Sequence, residues 1–192
     1  MWQLKKRSRG LYLCSVVLLA MVIGSSAIAY ADSGKAKVTV KAGPLKESNA
    51  TNHVSVLVSK GLLLAKYSLP ITVTDARGSG SGWKLSVTST QFLYPDHDGD
   101  TDVLPTSASQ ITGVSKSCSV HSTCTLPTNS VSYPLLIPAG ATAPAPVKFF
   151  NAALRSGLGV FSLTMMVNVK IPANTELGTY NSTITIAIAS GP

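Results

Sequence analysis
Apolar and polar side chains alternate with a period of two along most of this chain, and that pattern limits its possible folds more than any other feature. In residues 161–171, FSLTMMVNVKI, Phe161, Leu163, Met165, Val167, Val169 and Ile171 share one parity, while Ser162, Thr164, Asn168 and Lys170 share the other. Successive side chains of a β-strand point to opposite faces, so this run predicts a strand with one buried and one wet face. Residues 178–190, GTYNSTITIAIAS, repeat the scheme, with Tyr180, Ile184, Ile186 and Ile188 opposed to Asn181, Thr183 and Thr185. Shorter alternating runs occupy 37–41, 71–74 and 83–88, and weaker strand candidates lie at 54–58, 102–104 and 146–150. The stretch 71–88 reads as a hairpin around the small-residue turn RGSGSG. Pro172, Asn174 and the proline-rich run 137–146 break the alternation elsewhere. A short helix near 151–156 is the one helical candidate. Many short strands between turn clusters predict an all-β fold, an antiparallel Ig-like β-sandwich, over a parallel α/β sheet.

The first 31 residues do not belong to that pattern. Lys5, Lys6, Arg7 and Arg9 form a basic segment, residues 11–24 are apolar, and Ala29-Tyr30-Ala31 places small residues where a signal peptidase cuts. The apolar run is short for a hydrocarbon core of about 30 Å. These features predict a signal peptide at 1–31, removed on secretion, and one mature domain at 32–192. The leader takes four of the 16 basic residues with it, which leaves 12 against 8 acidic ones, so the formal charge falls from +8 to +4. No Lys/Arg cluster survives cleavage, so nothing predicts a nucleic-acid partner. No later run is long and apolar enough to predict a membrane span.

Two cysteines remain after cleavage, Cys118 and Cys124 in SCSVHSTCT. In an exported chain they are expected to pair. The closed loop is short, so the bond stabilises by about 2 kcal/mol and acts as a clip. A metal site with His121 would lack a fourth ligand. The acidic run DHDGDTD sets Asp96, Asp98, Asp100 and Asp102 within seven residues. A solvated turn accounts for it, and weak calcium binding is the alternative, although Gly99 stands at the fourth place of the run and no Glu follows. No other cofactor is implied. The three histidines, His53, His97 and His121, are scattered, and neither HExxH nor GxSxG occurs. The expectation is a protein without catalytic activity.

VTDARGSGSGWKLSV resembles the first signature of the WxL domain, a surface module of Gram-positive bacteria. Val73, Thr74, Asp75, Arg77, Gly78, Gly82, Trp83 and Leu85 match it position by position. Gly157 to Phe161, Gly178-Thr179-Tyr180 and the closing Pro192 fit its later parts more loosely. The second Trp-x-Leu of the family is absent, and Ile186-Ala187-Ile188 stands there. The resemblance implies non-covalent attachment to peptidoglycan or another wall polymer, or contact with another surface protein, at the cell surface. It implies Asp75, Arg77, Gly82, Trp83, Leu85 and Tyr180 as ligand-binding candidates.

Two readings of Trp83 stand side by side. Its even spacing with Leu85 and Val87 suits a core residue of large apolar area; alternatively its indole stacks on a sugar ring. Asp75 and Arg77, two apart on a strand, point to one side, where they pair with each other or offer Arg77 to a carboxylate or phosphate. Non-covalent wall binding is the leading functional expectation. The second is a structural subunit of an extracellular filament or coat, associating through a sheet edge such as 38–41.

Overall fold
The computed structural model describes residues 41–95 and 101–192. The predicted leader at 1–31, the alternating run at 37–40, and Asp96, Asp98 and Asp100 lie outside the described residues. Among the described residues every regular element is a strand. One sheet has the order β1 (Leu45–Glu47), β3 (Leu64–Asp75), β11 (Gly159–Lys170), β7 (Ser109–Cys118), β8 (Leu135–Leu136). The other runs β10 (Val147–Ala152), β4 (Trp83–Thr90), β12 (Gly178–Ser190), β5 (Leu93–Pro95), β6 (Thr101–Val103). In that second sheet β2 (Thr51–Val58) also pairs with β12, and β9 (Ala139–Gly140) with β4. All pairings are antiparallel except β4 with β9.

The alternation in the sequence becomes the two inner faces. On β11, Phe161, Leu163, Met165, Val167 and Val169 are buried and their polar neighbours face outward. On β12, Tyr180, Ile184 and Ile186 are buried and Ile188 is half-buried. Ser182 shares that inner face, and its hydroxyl donates to the Thr90 carbonyl at 2.7 Å, which satisfies the buried oxygen. Val54, Val56 and Val58 of β2 and Ile71 and Val73 of β3 complete a core between the sheets. Burying each such aliphatic side chain is worth about 1.5–3 kcal/mol, so the two faces hold each other. This is the expected all-β sandwich.

Two expectations fail. Residues 71–88 are not a hairpin, because β3 lies in the first sheet and β4 in the second. Both flanks of the end of β3 are already taken, by β1 and β11, so the chain has no free edge to return along. Residues 76–82 instead carry it across the sandwich, with φ of 68°, 64° and 70° at Gly78, Gly80 and Gly82, values that favour glycine. The helix near 151–156 is also absent. β10 continues to Ala152, and a turn follows in which Arg155 takes φ 60°, outside the right-handed helix. The crossing arch places the end of β3, the start of β4 and the end of β12 at one pole of the sandwich.

Candidate functional site
The pole is built on the pair at the end of β3. Asp75 turns inward on the same parity as Ile71 and Val73, so its carboxylate is taken from water. Arg77 answers it with two parallel bonds of 2.9 Å, Nε to Oδ1 and Nη2 to Oδ2. The same guanidinium donates to the Gly82 carbonyl at 2.8 Å and to the Ser190 hydroxyl at 2.5 Å. One side chain thus ties the end of β3, the arch and the end of β12, which joins the two sheets. The Asp75 side chain is fully buried and that of Arg77 is 17% exposed. Burial pushes the Asp75 carboxyl up, but the hydrogen bonds and charge of Arg77 outweigh it and hold the carboxyl below its usual range. The same hydrogen bonds raise Arg77, against a smaller effect of burial.

Trp83 sits one residue past the arch and is completely buried. Its ring centroid lies 5.8 Å from that of Phe150 in its own sheet and 6.2 Å from that of Phe161 in the other. The indole N–H donates to the Gly157 carbonyl at 2.9 Å, so the one polar atom of the ring is satisfied. Gly157 has φ 68°, and a Cβ there would come within 2.7 Å of the indole nitrogen. Only glycine lets that carbonyl approach. The Gly157 N–H in turn donates to the Thr125 carbonyl at 2.9 Å. Thr125 follows the predicted disulfide, which is formed between Cys118 and Cys124 with Cα atoms 5.7 Å apart. The clip, Thr125, Gly157 and the indole make one mechanical chain from surface to core.

The six ligand-binding candidates are therefore mostly interior. Asp75, Gly82, Trp83, Leu85 and Tyr180 are buried and only Arg77 keeps partial exposure. The core reading of Trp83 is the one the fold displays, and a sugar ring has no access to the indole in this conformation. Tyr180 lies at the far end of β12, where its ring meets Tyr94 at 5.5 Å and its hydroxyl donates to the Glu176 carbonyl at 3.2 Å. Leu85 stands opposite Ile188 and Phe150 across the sheet. Asp102, the one described member of the acidic run, lies on β6 opposite Tyr94. Among the described residues no cluster of acidic, histidine or cysteine side chains has the makings of a metal site.

What the pole presents to solvent comes from residues the sequence did not single out. Val120, Leu126 and Leu154 are exposed by 84%, 47% and 67%. Arg155 follows Leu154 in its strained turn, and its N–H donates to the Gly80 carbonyl of the arch at 2.8 Å. An open cavity of about 330 Å³ lies alongside, lined by Thr123, Cys124, Thr125, Leu158 and Gly159. Loops carry no periodicity, so only the glycines and the cysteine pair marked this region in the sequence.

The arch and its buried tryptophan agree with a comparison that covers most of the chain. A family model described as WxL domain surface cell wall-binding matches residues 28–192. The chain belongs to the WxL family. No curated protein and no solved structure matches it. As a WxL domain it is a cell-surface module that binds the cell wall. Its signature residues, Asp75, Arg77, Gly82 and Trp83, frame the pole from within.

Proposed function
We propose that this WxL chain is exported, loses its leader, and holds non-covalently to peptidoglycan at the surface of a Gram-positive-type cell, with no reaction catalysed and no metal required. The observation that carries the reading is the wall-binding family match over residues 28–192. The contact surface in this reading is the outside of the pole, at Val120, Leu126, Leu154 and Arg155. Exposed apolar side chains suit the faces of sugar rings, and a guanidinium suits the carboxylates of stem peptides. The loops that carry these residues are bonded to one another through Gly80, Thr125 and Leu158. Loops fixed beforehand lose little conformational freedom on binding, which favours affinity.

Co-sedimentation tests the proposal. The secreted chain is mixed with insoluble peptidoglycan stripped of other polymers, with and without a chelator, and the bound fraction is measured. Retention is expected in both conditions, and Leu154→Asp is expected to reduce it at least ~10-fold without changing the melting temperature. A folded wild-type chain that stays in the supernatant overturns the reading. Loss of retention with the chelator alone overturns the claim that no metal is required.

A further inference from the structure
We infer that the edge of β2 turned away from β12, which no described strand covers, is a pairing surface for a second copy of this chain, which joins the second sheets of two molecules across a two-fold axis. Most sheet edges among the described residues are guarded. β1, β6 and β8 are three residues long or fewer. β10 has a register shift between Lys148 and Phe150, and its outer side is covered where the Asn151 N–H donates to Asn129 Oδ1 at 3.0 Å. The exposed half of β3 carries Lys66 and Pro70. Charge, proline, bulges and short length are the devices by which natural edges avoid pairing. β2, TNHVSVLV, has none of them: its eight residues lack Lys, Arg, Asp, Glu and Pro, and its register with β12 runs without a shift from Val58 to Thr51.

The register also says which groups face outward. The Ile186 N–H donates to the Ala50 carbonyl at 2.7 Å, in line with that register. Bonded and non-bonded pairs alternate along an antiparallel ladder. The even-numbered residues of β2 therefore turn their N–H and C=O groups to β12, and Thr51, His53, Ser55 and Leu57 turn theirs away. A second β2 placed antiparallel about Val54 sets Thr51 opposite Leu57 and His53 opposite Ser55. Outward groups then meet outward groups, no like charges are opposed, and the 68% exposed Leu57 gains a neighbour. Such a contact is isologous and closes at two copies, so it builds a dimer and not a filament. A dimer would offer two poles to one wall polymer.

Sedimentation velocity of the secreted chain over a wide concentration range is the test, read together with amide exchange. A concentration-dependent dimer is expected, with exchange slowed at Thr51, His53, Ser55 and Leu57. Ser55→Pro removes an outward N–H that bonds none of the described residues, and Leu57→Lys adds a guarding charge while leaving the backbone intact. Each is expected to weaken dimerisation at least ~10-fold, and the lysine variant decides the matter where the proline variant fails to fold. A monomer at every concentration, or a dimer that neither substitution weakens, overturns the proposal.

Discussion

Two neighbouring segments of the second sheet, 83–85 on β4 and 186–188 on β12, occupy the places where the family's two tryptophan motifs stand, and they are held in different ways. Trp83 brings a polar N–H into the core, so it needs an acceptor. That need reaches outward to Gly157, then to Thr125 and the Cys118–Cys124 clip. Ile186 is 1% exposed and brings no side-chain polar atom. Ile186 and Ile188 stand opposite Val87 and Leu85, and the only demand is volume. The difference teaches that the first motif organises a pole, whereas the second segment closes a sheet. A strand accepts isoleucine at least as readily as tryptophan, so the fold survives the replacement.

Truncating the indole should break the comparison most severely. Trp83→Ala removes the ring between Phe150 and Phe161 and releases the Gly157 carbonyl. Loss of a buried aromatic of this kind costs about 3–5 kcal/mol, roughly 6–20 °C in melting temperature for a domain of this size. A variant that melts like the wild type and yet no longer binds the wall would return the indole to the ligand surface. Arg77→Ala comes next, because it strands the buried Asp75 carboxylate and releases the Gly82 and Ser190 bonds. Breaking a buried pair from one side costs about 3 kcal/mol or more. The pH profile carries the same signature. The folded pKa of Asp75 is lowered, so its contribution is complete above its ordinary value near ~4 and is lost as pH falls through the lower folded value. Asp75→Asn should flatten the stability profile in that acid window, measured by denaturant titration at stepped pH.

The strands of this fold were legible because burial follows parity. Phe161 to Val169 and Tyr180 to Ile186 are buried in the order in which their side chains alternate. The Asp75–Arg77 pair was legible from its opposite charges two residues apart, although β3 ends at Asp75 and Arg77 reaches back to it from the arch. The arch was not. Glycine-rich sequence between two strands suits a hairpin or a crossing equally well, and the choice depends on which edges β1 and β11 already occupy. The outward pole was also hidden. Val120, Leu126 and Leu154 sit in loops without a period, and nothing local brings the turn at Arg155 against Gly80. Long-range backbone bonds place them, and a sequence shows such bonds only through its glycines.

Restoring the lost tryptophan sharpens the contrast at a smaller scale. Ile186→Trp puts a larger ring on a fully enclosed face beside Val87. Overpacking of this sort costs about 1–3 kcal/mol, visible as a lower denaturation midpoint at unchanged slope. A gain in stability would mean that the space for a second indole persists between the sheets, and that the two segments remain equivalent.

The smallest effect concerns a polar group that lacks what Trp83 has. Tyr67 lies on the inner parity of β3, and its hydroxyl is enclosed with no hydrogen-bond partner among the described residues. Burial pushes its phenol pKa upward, which keeps the group neutral without satisfying it. An unpaired buried hydroxyl costs about 1–3 kcal/mol of desolvation, part of which Tyr67→Phe recovers while keeping the ring. The expected outcome is a gain of up to about 1 kcal/mol, or roughly 2–4 °C. Trp83→Phe, which also deletes a polar handle but one that is bonded, should lower the melting temperature. If both substitutions shift it in the same direction, the satisfied N–H is not what distinguishes the tryptophan, and its value to the pole is volume alone.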